Sequence, residues 1–380
     1  MPIKSMSRRR LLQSVVAVGC TGAFYRYSKS SNADAPAFDE EIVLKAKKLL
    51  TNTVSVDLHS HPGVFFLDAE FPSALEKTMG RTAFPYKTIE DMRVGKLSAF
   101  HMASVADRAL LGVDFSKGKV YATRAFEEGE AWASFKRQDA QMMKVIDQAE
   151  LAVGLSASNL ANNKKTGKIT AIKSVEGASF IEQDLGRLQT AYDMGYRSLQ
   201  IVHYHVNQIG DIQTEEPVYN GLSDFGKELV VEMDRLGLLI DLAHASEAVV
   251  EDCLSRVSSP VIVSHTSICS PDRCHPRYQT PSQAKMVSAA GGVIGISPAG
   301  FISKTFDEFI GEIDAAVSLI GIDHVSALGT DMDANYKPVF TSYRDLHRIP
   351  AALLQKGYSE TEVAKVIGEN YVRVWGNNDI

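Results

Sequence analysis

Four cysteines in 380 residues are too few for a disulfide framework. They stand at Cys20, Cys253, Cys269 and Cys274, and the last three, scattered as they are, make no thiolate-type zinc site either. Glycine (27) and proline (13) are not enriched, which excludes fibrous and low-complexity classes. The apolar stretch from Leu11 to Phe24 is fourteen residues long, too short to cross a bilayer as a helix. No GxGxxG follows the first strand candidate, which counts against a dinucleotide-binding sheet. No internal repeat stands out.

Basic charge is also short once the N-terminus is set aside. Residues 1–35 hold six of the 40 bases and one of the 46 acids, so the remainder carries 34 against 45, a net charge of −11. Such a surface excludes nucleic acid as a partner. Arg8-Arg9-Arg10, the apolar stretch and the small residues after it read as an export signal, and Ser-Arg-Arg-Arg-Leu-Leu resembles the twin-arginine type. Cys20, after Ala17-Val18-Gly19, is a poor lipidation site; Ala33-Asp34-Ala35 has the small-x-small cleavage pattern, with Pro36 an awkward neighbour. The expectation is an exported protein, periplasmic or associated with the cell envelope, touching membrane only through the signal or a lipid on Cys20. Residues 36–380 would then form a single domain.

That domain has the material for a core, at 45% hydrophobic residues. Helical patterns alternate with eight short apolar runs, at 53–58, 97–105, 169–175, 198–202, 238–243, 260–264, 292–297 and 325–330. Helices are expected over Phe38–Leu50, Gly186–Gly195 and Asp224–Leu236, the last capped by Ser223 and ended by Gly237. Residues 68–163 should hold a helical insertion as well as ordinary barrel helices. Eight strand–helix units predict an α/β fold, a (β/α)8 TIM barrel, with an open doubly wound sheet as the competing architecture.

In such a barrel the chemistry sits at the C-terminal strand ends. The first run is followed by His59 and His61, in Ser-Val-Asp-Leu-His-Ser-His-Pro-Gly, where alternate strand positions send both imidazoles to one face. Later ends give Glu176, His203, His244, His265 and Asp331. Five of the ten histidines at one rim is not a random scatter. A single histidine there would be a satisfied core-edge residue; five with two carboxylates would be costly to bury unpaired. Divalent cations relieve that cost, and mixed nitrogen and oxygen donors suit zinc. The side chains suffice for two ions: one on His59, His61 and Glu176, the other on Glu176, His244 and His265. A bridging hydroxide would be the nucleophile, with Asp331 handling its proton and His203 stabilising the oxyanion. His205 and His275 read as loop residues, with His205 nearer a pocket; His101, His324 and His347 read as structural, and Asn370 and Arg373 as fixing the last helix.

The opening "VDLHSHPG" is also similar to those of the polymerase-and-histidinol-phosphatase and TatD-type families. The later segments "IKSVEGAS", "YRSLQIVHYHVNQIGD", "GLSDFGKELVVEMDRLGLLIDLAHAS", "VIVSHTS", "HPR", "ALGTDMD" and "GENYVRVWG" together resemble the membrane dipeptidase family, from about Val54 to Gly376. The resemblance implies a barrel of the metal-dependent hydrolase type, two zinc ions and hydrolysis of small dipeptides, some with a C-terminal D-residue. It also implies the same roles for His59, Glu176, His244, His265, His203 and Asp331, a carboxylate-gripping role for Arg277, and a homodimer as one assembly. Two departures stand out. His61 stands where the family has aspartate, which removes one negative charge. The His265–Arg277 spacing is one residue longer than the family pattern, and Tyr278 replaces a common asparagine. Rival readings are a barrel metallohydrolase acting on a lactone, β-lactam or N-acyl bond, and a non-catalytic exported metal-binding protein.

Overall fold

The computed structural model describes residues 38–378 apart from 81 and 115. The signal expected over residues 1–35 and Cys20 lie outside the described residues. Eleven strands form in chain order: β1 Val56–Ser60, β2 Ala99–Val105, β3 Leu111–Asp114, β4 Lys119–Ala122, β5 Ala152–Val153, β6 Thr170–Glu176, β7 Tyr196–Gln200, β8 Leu239–Asp241, β9 Ile262–Thr266, β10 Val293–Ile296 and β11 Val325–Ser326. Eight of them run β1-β2-β6-β7-β8-β9-β10-β11 in one parallel sheet, with β5 beside β6. The ring closes through backbone bonds: Leu58 N donates to Leu328 O (2.8 Å), Asp331 N to His59 O (2.9 Å) and His61 N to Met332 O (3.0 Å). This is the expected TIM barrel. The eight expected strands are those of the ring, with boundaries that move: β7, β8 and β11 end earlier than expected, at Gln200, Asp241 and Ser326, and three others end later. β1, β6 and β9 reach to Ser60, Glu176 and Thr266, so His59, Glu176 and His265 are strand residues rather than residues just past a strand.

The barrel interior follows from the period of two. Val56, Leu58, Ala99, Ile172, Leu239, Ile262 and Val293 form one buried apolar cluster with Tyr371 and Trp375 of the helix Asn370–Gly376. That helix plugs one mouth. Two to four residues further along, the same strand faces turn polar or small: Ser174 and then Glu176 follow Ile172, Asp241 follows Leu239, Ser264 follows Ile262, and Gly295 follows Val293. The polar end is therefore the C-terminal mouth. Asn370 fixes the plugging helix by donating to Ile322 O (2.7 Å) and Val325 O (2.9 Å), and Arg373 donates to Gly291 O and Asp323 O, the roles expected of both.

Local chemistry sets the outer elements. The helix Asp224–Arg235 starts where Ser223 Oγ accepts from Gly226 N (2.9 Å) and buries Leu229, Val230 and Met233. It ends at Gly237 (φ +68°), in the left-handed region that glycine tolerates. The helices Glu40–Asn52 and Gly186–Asp193 fall within two residues of the expected ones. The stretch 68–163 is less helical than expected. It holds the antiparallel hairpin β3–β4, turned where Asp114 Oδ1 accepts from Ser116 N and Lys117 N. Its strands are only half-buried, so their hydrophobic alternation is weak in the sequence. Cys269 and Cys274 form a disulfide, a local clip that the count of scattered cysteines did not anticipate. Among the described residues no helix is long and apolar enough to cross a membrane.

Gly295 lets three strands converge beneath the polar mouth. A Cβ there would lie 2.1 Å from Ser264 O and 3.1 Å from Gly329 Cα, both backbone atoms with little freedom to yield. Gly295→Ala should cost about 1–3 kcal/mol and lower the calorimetric unfolding temperature by several degrees. Gly311→Ala, where the added methyl meets nothing within 4 Å, should leave that temperature unchanged or slightly raised.

Candidate metal and catalytic site

All seven rim residues expected from the sequence converge. Glu176, the last residue of β6, has its side chain 5% exposed. Its Oε1 lies 3.5 Å from His59 Nε2, 3.2 Å from His203 Nε2, 3.4 Å from His244 Nε2 and 3.5 Å from His265 Nε2. Its Oε2 lies 3.4 Å from His61 Nε2, and His61 Nε2 is 3.3 Å from Asp331 Oδ1. The imidazoles also face each other. His59 and His61 bring their Nε2 atoms to 3.1 Å, and His244 and His265 bring theirs to 3.2 Å.

Hydrogen-bond partners fix these rings. His61 Nδ1 stands 2.7 Å from Ala103 O, which can only accept, so Nδ1 carries a proton and Nε2 is the atom turned to the cluster. Ser264 Oγ lies 2.9 Å from His265 Nδ1 and 3.3 Å from His59 Nδ1. Among the described residues His244 Nδ1 is buried without a hydrogen-bond partner. His244 (φ +66°) and Asp331 (φ +49°) both hold left-handed backbone, a strain that tight surroundings must maintain.

Electrostatics follow from the crowding. Burial opposes a charged His61, yet Asp331 and Glu176 lift its pKa to about 10. Burial likewise opposes a charged His203, and Asp107 and Glu176 lift it to about 9. Burial would raise Glu176, but His203 and His59 hold it well below the usual carboxylate range. Burial, with Arg277 and His203 nearby, drives His244 well below the usual histidine value, and burial with His59 does the same to His265. The carboxylates thus draw positive charge into a buried space.

The donor set fits divalent ions. Two imidazole nitrogens bound at about 2.0–2.1 Å to one ion stand about 3 Å apart, close to the two Nε2 pairs. Three triads could each hold an ion: His59 with His61 and Asp331, His59 with Glu176 and His265, and Glu176 with His203 and His244. The first includes Asp331, which the sequence reading placed as a proton carrier outside the metal shell.

Several supporting residues went unread in the sequence. Asp107, two residues past β2, takes His203 Nδ1 at 2.6 Å and accepts from Tyr204 N at 3.0 Å. Extending the strand-end inspection by two residues would have found it. Asp57 accepts from His59 N, Thr330 N, Thr330 Oγ1 and Tyr343 OH, tying β1 to the closing segment. Asp241 does the same between β8 and β9, accepting from Ala243 N and Ser264 N. The signal for both was an aspartate inside an apolar strand. Arg277 also reaches the mouth: it is 8% exposed, with Nη1 donating to Gln213 Oε1 (2.7 Å) and Nη2 2.9 Å from His244 Nε2. Its guanidinium is turned toward the histidines. His205 lies against Phe126, and His275 against Tyr278 and Phe301. His101 bonds Tyr371 OH and His324 bonds Gly292 O, as structural histidines do.

A closed ring of parallel strands with a histidine–carboxylate cluster at its polar mouth defines a (β/α)8 barrel of the metal-dependent hydrolase type. The chain belongs to the membrane dipeptidase family, peptidase family M19, whose sequence pattern matches residues 44–379. It is 30% identical over 232 residues to dipeptidase verJ of Clonostachys rogersoniana, covering 59% of each chain. Dipeptidase tcpJ of Claviceps purpurea is 29% identical over 222 residues, 55% of this chain and 51% of that one. The alignments thus span little more than half of these curated relatives. The probable dipeptidase PvdM from Pseudomonas aeruginosa superposes with a TM-score of 0.71 at 17% identity, covering 90% of this chain and 99% of that one. A metallopeptidase from Rhodobacter sphaeroides, liganded with a phosphinate mimic of the dipeptide L-Ala-D-Ala, gives 0.70 at 20% identity, covering 86% and 100%. At such identities the two structures attest the fold alone.

Asp107→Asn keeps the shape beside His203 but removes the charge that favours its imidazolium. Bound metal, measured by elemental analysis, should stay near wild type while turnover falls about 10- to 100-fold. A parallel loss of metal would mean that Asp107 supports the cage rather than His203.

Proposed function

We propose that this protein is an exported metallo-dipeptidase that hydrolyses small dipeptides, including those with a C-terminal D-residue, on a pair of zinc ions. The observation that carries the reading is Glu176, whose two oxygens sit within 3.5 Å of five imidazole nitrogens. His59, His61 and Glu176 would hold one ion and Glu176, His244 and His265 the other. When bound, such ions supply Lewis acidity and lower the pKa of water from 15.7 to about 7.

The chain's own groups do the rest. Asp331, one-fifth exposed at the mouth, takes the proton of the attacking water and returns it to the leaving amine. His203, held as an imidazolium by Asp107, donates from Nε2 to the developing oxyanion. Arg277 turns from His244 to grip the free carboxylate, which suits a planar, permanently charged guanidinium. The D-residue preference draws support from the Rhodobacter sphaeroides protein and its L-Ala-D-Ala mimic. Export draws support from the N-terminal arginine run and from the Cys269–Cys274 disulfide, which suits an oxidising compartment.

Zinc-loaded protein should turn over L-Ala-D-Ala and L,L-dipeptides, with two zinc ions per chain by elemental analysis. Chelation should abolish turnover and zinc should restore it. Turnover of lactones or phosphoesters with none of any dipeptide would overturn the reading. Asp331→Asn should lower kcat about 10²- to 10⁴-fold at unchanged metal content; retained turnover would remove Asp331 from the chemistry. Arg277→Ala should raise KM for dipeptides far more than it lowers kcat, and should leave dipeptide amides almost unaffected.

A further inference from the structure

The disulfide lies on the segment that carries Arg277. This segment leaves β9 at Thr266 and returns at Gln279, where Gln279 N donates to Ser267 O and Cys269 N to Gln279 O, both at 2.8 Å. Between these pins the chain runs free of regular secondary structure. The Cys269–Cys274 bond cuts it in two. One part is the closed tip, where Ser270 and Arg273 exchange backbone bonds and Arg273 pairs with Glu312. The other runs from Cys274 to Gln279 and holds Arg277 three residues past the covalent anchor and two before the hydrogen-bonded pin. Within it Arg277 N donates to His275 Nδ1 (3.1 Å), and Thr266 Oγ1 donates to Arg277 O (3.2 Å). Cys274 is exposed and Cys269 half-buried, so reagents can reach the bond.

We propose that the Cys269–Cys274 disulfide is a positioning device for Arg277, one that makes the carboxylate grip depend on oxidation. The dipeptidase reading above supplies the ligand for that grip. The bond forms by exchange with a disulfide-bearing oxidant. A thiolate of one cysteine attacks the oxidant's disulfide and expels one of its sulfurs as thiolate. The thiolate of the second cysteine then displaces the remaining sulfur, and the two protons and two electrons of the cysteines leave with the oxidant, now a dithiol. Without the bond, the whole length between the pins must be ordered when a carboxylate binds. Residues of the metal cage lie on strands and on other loops, so the chemical step should be spared.

The test compares oxidised protein, the same protein reduced with dithiothreitol and freed of it anaerobically, and the Cys269→Ser/Cys274→Ser variant. Reduction and the variant should each raise KM for L-Ala-D-Ala about tenfold, the order of cost of immobilising a long side chain on binding. They should leave kcat within about twofold and metal content unchanged. In an Arg277→Ala background, reduction should change KM no further. Amide exchange over residues 268–279 should accelerate on reduction, whatever the substrate. Unchanged exchange, an unmoved KM with a fallen kcat, or the same KM rise without Arg277 would each overturn the proposal. If oxidised wild type cleaves no dipeptide, the dipeptidase reading falls, and the exchange measurement still decides whether the disulfide orders Arg277.

Discussion

Five imidazoles around one buried carboxylate is the constraint on which the structure turns. Glu176 neighbours His59 and His265 within strands, His61 just past β1, and His203 and His244 on loops after β7 and β8. As neutral rings they meet Nε2 to Nε2 at 3.1 and 3.2 Å, where only one nitrogen of each pair can carry the hydrogen; as imidazolium ions they crowd like charges into a buried space. Asp331 relieves His61 and Asp107 relieves His203, but Glu176 is the one carboxylate that faces all five, and an unmet buried charge is expensive. Cations drawn to the shared centre would take the facing nitrogens as ligands. The same arrangement that strains the protein alone is thus the one that holds metal.

The barrel makes such convergence affordable in geometric terms. Parallel strands end together at one mouth, so residues scattered from 59 to 331 in the chain meet within a few ångströms. The buried aspartates then lock the strand ends. Asp57 ties His59's backbone to Thr330 on the closing segment, and Asp241 ties β8 to Ser264 beside His265. A glycine at 295 lets β10 approach the backbones of Ser264 and Gly329 beside them. The packed apolar layer and the Trp375 plug beneath keep this frame rigid.

How much of this was legible depends on whether the information is periodic. The ring strands alternate or run apolar between turn residues, and their ends carry the chemistry, so His59, Glu176, His244 and His265 could be read from position alone. Residues that act one step behind them carry a weaker positional signal, and their partners are visible only in the fold. Asp107 looks like any loop aspartate until His203 is placed against it. The hairpin β3–β4 buries too little on either face to impose an alternation. The Cys269–Cys274 pair forms because the chain turns back after β9, a tertiary fact that cysteine spacing does not carry. The closing edge is also cryptic: only Val325 and Ser326 pair as a strand, and the rest is held by separate bonds to β1.

The contrast between cage and grip also orders the two departures from the family pattern. His61 sits within the rigid cage, and its Nδ1 bond to Ala103 O aims Nε2 at the centre where a carboxylate would otherwise bring charge. With histidine there, the carboxylates that touch the cluster are Glu176, Asp331 and, through His203, Asp107. Arg277 adds a positive charge beside His244. Arg277 differs from the cage in its support: it stands on the irregular segment after β9, with its guanidinium held by Gln213 and His244 and its backbone by His275 and Thr266, whereas His59, Glu176 and His265 are fixed by strand pairing.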